Sequence, residues 1–183
     1  MSVTPEDCAA VYAEADCLYP ASAVEAALDR MAAAITERLA RHNPLVLCVL
    51  SGAIVPLGHL LTRLHFPLQL DYLHATRYHN QTQGGTLQWI ARPLTSLQGR
   101  VVLVIDDILD EGVTLAAILE HCRAEKANEV YCGVLARKDR PRLVDVQPDF
   151  IGLDIPDRYV FGYGMDYRGY WRNAPGIYAV KGL

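Results

Sequence analysis

The sequence predicts an α/β domain with a central, mostly parallel sheet flanked by helices. Two observations carry this: "LVLCVL" (45–50), "VVLVI" (101–105) and "VYCGVLA" (130–136) are continuous apolar runs of strand length, and the segments between them repeat apolar residues at helical spacing. Strands apolar on both faces must be covered on both, and alternation with amphipathic helices achieves that. A chain of 183 residues, 51% of them apolar, is long enough for one real core.

In "TPEDCAAVYAEAD", Thr4 is a candidate N-cap, Pro5 suits the first helical position, and the acids of the first turn complement the helix dipole. A second helix follows Pro20, with Val24, Ala27, Leu28, Met31, Ile35 and Leu39 on one face, and "HNP" (42–44) ends it. After the strand at 45–50 come the turn "SG", a helix-like "AIVPLGHLLTRL" (53–64), and "LQLDYLHA" (68–75), whose period of two predicts a strand. Residues 76–88, "TRYHNQTQGGTLQ", are polar, contain Gly84 and Gly85, and read as a mobile loop. The strand at 101–105 leads to helical spacing over 114–124 (Leu115, Ile118, Leu119, Cys122) and then to the strand at 130–136. Beyond "PDFIGLDIP" the chain turns aromatic and glycine-rich, and is expected to cap the sheet edge.

The net charge of −4 and a pI near 5.8 provide no basic field, so nucleic acid is not an expected partner. Five cysteines without CxxC pairing, two of them inside strand-like runs, read as buried thiols of a reducing compartment. No stretch approaches the roughly 18 apolar residues of a membrane span. "MSVTPEDCAA" lacks the basic and apolar regions of a signal peptide, so the expected location is the cytoplasm, with no membrane partner.

"VVLVIDDILDEGVTL" (101–115) places four acids just past a buried strand. Carboxylates at the edge of a core need something to neutralise or hydrogen-bond them. In an open parallel sheet, ligands sit where strands end and helices begin. Backbone N–H groups from Asp110 to Thr114, with Gly112 permitting close approach, would form an anion nest, and the Thr114 hydroxyl adds a donor. The carboxylates of Asp106, Asp107 and Asp110 are then left for a hydroxyl-rich sugar or a hydrated Mg²⁺. "DDILD" also occurs as a diphosphate motif of isoprenyl synthases, but that motif sits on a long helix, and here it follows five β-prone residues.

The same stretch resembles the signature of type I phosphoribosyltransferases, which bind 5-phosphoribosyl 1-diphosphate (PRPP). "PDFIGLDIPDRYVFGYGMDYRGYWRN" (148–173) resembles the C-terminal hood of the hypoxanthine-guanine branch, and the spacing from Asp110 through Lys138 to Asp166 and Arg172 matches without gaps. The resemblance runs from about residue 45 to the end. It implies the type I phosphoribosyltransferase fold as a single domain over 1–183, with a core near 45–145, a small hood near 148–183 and a flexible loop at 76–88. It also implies purine salvage: Mg²⁺-dependent transfer of phosphoribosyl from PRPP to hypoxanthine or guanine, giving IMP or GMP and diphosphate. A homodimer or homotetramer is expected.

Carried over position by position, the resemblance implies that Asp106 and Asp107 hold the ribose hydroxyls and, with Asp166, associate with Mg²⁺. Asp110 is implied as general acid/base at the imidazole nitrogen. Glu111, Gly112, Val113 and Thr114 would receive the 5-phosphate, and the turn at Ser51 and Gly52 would receive diphosphate, faced by Arg172. Lys138 would donate to the purine 6-oxo group and Tyr159 would stack on the ring. Val160 would meet the base edge through its backbone, and Asp166 also lies on the base side.

Three positions depart from the family. Ser51 stands where Lys or Arg is usual, Arg77-Tyr78 where Ser-Tyr is usual, and Glu111 where Ser or Thr is usual. Arg77 is expected to replace the cation missing at 51. A Glu111 carboxylate unpaired beside a phosphate dianion would cost several kcal/mol, so it is expected to face solvent and leave the nest to backbone amides and Thr114. Two alternatives stay open: a xanthine preference, and a nucleotide-sensing RNA-binding regulator on the same fold, which would need a basic stripe that the acidic balance does not supply.

Overall fold

The computed structural model describes residues 3–77 and 87–183. The elements run α1 (Pro5–Glu14), β1 (Asp16–Tyr19), α2 (Ala21–Leu39), β2 (Leu45–Leu50), α3 (Ile54–Leu61), β3 (Gln69–Arg77), β4 (Leu87–Ala91) and β5 (Val101–Leu109). They continue with α4 (Val113–Ala124), β6 (Glu129–Asp139), β7 (Phe150–Pro156), β8 (Val160–Phe161) and β9 (Ile177–Ala179). The main sheet has the spatial order β4-β3-β2-β5-β6-β7, parallel except for the antiparallel edge pair β3–β4. The apolar runs of β2, β5 and β6 fill its middle, as two-sided burial requires.

α1 starts where the sequence indicates. Thr4 Oγ1 accepts from Asp7 N–H, and the Asp7 carboxylate accepts from Thr4 N–H, a reciprocal capping box with Pro5 at the first helical position. α2 buries Val24, Ala27, Leu28, Met31, Ile35 and Leu39 and lies over β7. At about 1.5–3 kcal/mol for each large aliphatic side chain, that face anchors the helix more than its propensity does.

Several boundaries differ from the sequence reading. β5 runs four residues past "VVLVI", because its ladder with β6 continues through Asp106–Val134, Ile108–Ala136 and Leu109–Arg137. Asp106 and Asp107 therefore belong to the strand itself and not to the loop after it. β3 extends to Arg77 and β4 begins at Leu87, so the ends of the expected loop are paired strand. Tyr78, Gly84 and Gly85 lie outside the described residues. α3 ends at Leu61, three residues early, and Cys17 is exposed whereas the other four cysteines are buried.

β1, β9 and β8 form a second, antiparallel sheet in that order, so the N-terminal segment completes the hood. Phe161, Tyr167, Ala174 and Val180 pack there with Cys8 of α1, and Trp171 Nε1 donates to the Cys8 carbonyl at 2.7 Å. No helix of the described residues is long and apolar enough to cross a membrane.

Candidate active site

The carboxyl ends of β2, β5 and β6 meet the hood around two adjoining cavities. The larger, about 390 Å³, is lined by Ser51 and Gly52 after β2, by Asp106 to Gly112 and Thr114, and by Asp166 and Arg172 of the hood. The smaller, about 160 Å³, is lined by Lys138, Tyr159, Val160 and Met165, and shares Asp107, Ile108, Asp110 and Asp166 with the first. Of the residues singled out in the sequence, Val113 lines neither cavity and opens α4.

The larger cavity offers two helix starts. Gly112 caps α4 at φ 83°, the left-handed region that glycine tolerates, and no side chain caps the helix. The cap of α3, Ala53, likewise makes no side-chain hydrogen bond. Helix starts of this kind favour an anion, although at α3 the Ile54 N–H already donates to the Ser51 carbonyl at 3.3 Å and Pro56 has no N–H. Glu111 is half-buried and lines this cavity.

Asp106 and Asp107 stand side by side in a central strand. Burial pushes the Asp106 carboxyl well above the usual carboxylate range, and the adjacent Asp107 charge pushes it the same way. Asp107 is also raised by burial, against the opposing effects of a hydrogen bond with Asp106 and of the Arg172 guanidinium. The pair is thus poised to give up a proton to solvent when a cation binds, or to accept hydrogen bonds from hydroxyls. Gly52 is what lets Asp107 sit there, since a Cβ at Gly52 would lie 1.9 Å from Asp107 Oδ2.

Arg172 ties the hood to this strand. Its Nη2 is 2.7 Å from Asp166 Oδ1, its Nη1 donates to the Gly164 carbonyl at 2.7 Å, and Nη1 is 4.0 Å from Asp107 Oδ2. Asp166 also accepts from Gly169 N–H at 2.6 Å, so both of its oxygens are held.

Lys138 is buried, 9% exposed. Its ammonium donates to Asp110 Oδ2 at 3.0 Å. Tyr159 is 37% exposed, so it is not a core tyrosine, and its hydroxyl accepts from Arg168 N–H at 3.2 Å. Sequence reasoning missed Arg140 and Asp157, which join the Lys138–Asp110 pair. Arg140 lies just past the end of β6, two residues after Lys138, and nothing local in the sequence marked Asp157. It also missed Met165 and Ile108 as lining residues.

Among the described residues, no group of three or more His, Cys, Asp or Glu side chains is arranged to hold a metal ion alone. The hard oxygens of Asp106, Asp107 and Asp166 suit an ion that takes one or two carboxylates and completes its shell from a phosphorylated substrate.

Residues 14–168 match the family model described as "Phosphoribosyl transferase domain". The chain is 33% identical over 159 residues to the hypoxanthine-guanine phosphoribosyltransferase of Bacillus subtilis, covering 86% of this chain and 88% of that one. It is 33% identical over 165 residues to the hypoxanthine-guanine-xanthine phosphoribosyltransferase of Tritrichomonas foetus, covering 90% of each. A hypoxanthine phosphoribosyltransferase structure from Staphylococcus aureus superposes with a TM-score of 0.85 at 30% identity, covering 91% of each chain. With this match over most of its length, and with paired acids and an uncapped helix start at the ends of parallel strands, the chain belongs to the phosphoribosyltransferase family.

Proposed function

We propose that the chain transfers the phosphoribosyl group of PRPP to a 6-oxopurine, hypoxanthine or guanine, giving IMP or GMP and diphosphate. The observation that carries this reading is the junction of the two cavities at Asp107, Asp110 and Asp166. A phosphorylated sugar in the larger one and a flat base in the smaller would meet there.

In this reading the α4 start and Thr114 bind the 5-phosphate, and the Ser51–Gly52 turn with Arg172 faces the diphosphate. Asp106 and Asp107 accept from the ribose hydroxyls. Tyr159 stacks on the purine, Val160 meets its edge through the backbone, and Lys138, which has donors only, selects a 6-oxo group over an amine. The N–C1′ bond forms as the C1′–O bond breaks, the electron pair leaves on diphosphate, and the imidazole N–H proton passes to Asp110. Positive charge developing on the ribose is stabilised by the flanking carboxylates. One or two of Asp106, Asp107 and Asp166 would hold Mg²⁺, which when bound neutralises the departing diphosphate.

The five free cysteines support a reducing compartment, the cytoplasm. A homodimer or homotetramer is supported by Leu70 and Tyr72, exposed at 54% and 45% on one face of β3. Acceptance of xanthine is favoured by the likeness to the Tritrichomonas foetus relative.

The test is turnover of hypoxanthine, guanine, xanthine, adenine and uracil with PRPP and Mg²⁺. Mononucleotide formation from a 6-oxopurine is expected. Folded protein that binds PRPP yet turns over none of them would refute the reading.

A further inference from the structure

Both carboxylate oxygens of Asp110 carry a cation. Lys138 Nζ donates to Oδ2 at 3.0 Å, and Arg140 Nη1 donates to Oδ1 at 2.9 Å. Asp157 lies against the same two cations, its Oδ1 3.4 Å from Arg140 Nη1 and 3.6 Å from Lys138 Nζ. The parallel register produces this grouping. Leu109 pairs with Arg137 and Asp139 pairs with Pro156, so the residues leaving β5, β6 and β7 emerge level with one another. Two acids and two cations make the cluster neutral.

The two cations are not equivalent. Lys138 lines the base cavity and Arg140 does not. An ammonium on a flexible stem can turn to a new acceptor, whereas a planar guanidinium keeps its orientation. Each carboxylate oxygen can accept a second hydrogen bond, and a base N–H approaches Oδ2 with least crowding when Lys138 turns from it to the 6-oxo group. Arg140 keeps its hold on Oδ1 through Nη1, which also lies 3.4 Å from Asp157 Oδ1.

We propose that Arg140 is a positioning residue for proton transfer: it fixes Asp110 through Oδ1, so that Oδ2 faces the imidazole nitrogen once Lys138 engages the base. This rests on the phosphoribosyl-transfer reading above. The proton leaves the purine N–H for Oδ2 as the N–C1′ bond forms and diphosphate departs with the C1′–O electron pair. Asp157 orients Arg140 and touches no substrate atom.

The experiment compares the full-length wild type with Arg140→Met, which keeps the aliphatic bulk, and Arg140→Lys, which keeps the charge. The readouts are the single-turnover rate with hypoxanthine and the PRPP Kd by calorimetry. Arg140→Met is expected to slow the single turnover about tenfold or more, since misplacing a reacting group by an ångström can cost about a hundredfold. Its PRPP Kd should stay within about twofold, and Arg140→Lys should recover most of the rate. A wild-type rate in Arg140→Met, a loss that appears as weaker PRPP binding, or equal impairment in Arg140→Lys would each overturn the proposal. Should Arg140→Met not fold, Asp157→Asn decides: the rate falls if Arg140 positions Asp110 and is unchanged if it does not. Absence of 6-oxopurine turnover in wild type would instead sink the functional reading, so the two failures are distinguishable.

Discussion

Gly52→Ala adds one methyl group at the point where the turn after β2 meets the acidic strand. The new Cβ would lie 1.9 Å from Asp107 Oδ2, 2.3 Å from its Cγ and 2.8 Å from its Oδ1. Relief to an ordinary contact near 3.4 Å requires the carboxylate to retreat by about 1.5 Å. Backing the turn away is blocked by the hood, because Gly164 approaches the Gly52 carbonyl so closely that a Cβ there would sit 2.1 Å from it. Asp107 is also held by its place in β5, between β2 and β6, so the side chain must rotate. Gly52 has no positive φ, so the backbone itself tolerates alanine. Crowding of this kind costs about 1–3 kcal/mol of stability. A displacement of more than an ångström at Asp107, the proposed ribose contact, should lower kcat/KM for PRPP by about 10² or more. Gly58→Ala is the control: it lies on the exposed side of α3 with nothing within 4 Å, and should stabilise by roughly 1 kcal/mol with unchanged activity. Steady-state kinetics, PRPP calorimetry and thermal midpoints of the three proteins decide. A folded Gly52→Ala protein with PRPP affinity and turnover within about threefold of wild type would refute the argument.

Asp106→Asn tests the buried pair through pH. The Asp106 pKa is raised by folding, so the native state binds more protons than the unfolded chain above the ordinary aspartate range, and stability falls as pH rises toward the folded pKa. The asparagine variant should therefore be more stable than wild type at pH 7, with the gap closing as pH falls through that window; a gap independent of pH in urea unfolding would contradict it. Asp110→Asn should lower kcat by about 10² or more with PRPP affinity nearly intact, as general acid/base transfer typically contributes that much, and a wild-type single-turnover rate would remove Asp110 from that role. Thr4→Ala should weaken α1 by about 1 kcal/mol through loss of the capping box, seen as faster amide exchange from Cys8 onward; unchanged exchange would show that the cap contributes nothing.

The sequence by itself determined the layered α/β class, the parallel core strands, both N-terminal helices and the acidic stretch at the end of β5. Those features are written in short-range patterns, apolar runs and helical spacing, that physical chemistry reads within a window of a few residues. It also identified Asp106, Asp107, Asp110, Lys138 and Arg172, because a resemblance to a known family attached roles to them. What the tertiary structure decided are the contacts between residues distant in the chain. That Asp106 and Asp107 belong to the strand follows from where the β5–β6 ladder stops, a property of the partner strand. β1 escaped notice because four residues, two exposed and two half-buried, carry little periodic signal, and only pairing with β9 makes them a strand. That Lys138 is buried at the end of β6, beside Tyr159, Val160 and Met165 of the hood, is likewise a tertiary fact that its local sequence does not record. The four-charge cluster of Asp110, Lys138, Arg140 and Asp157 is set by the level ends of three parallel strands, and register is a long-range property that no local pattern records.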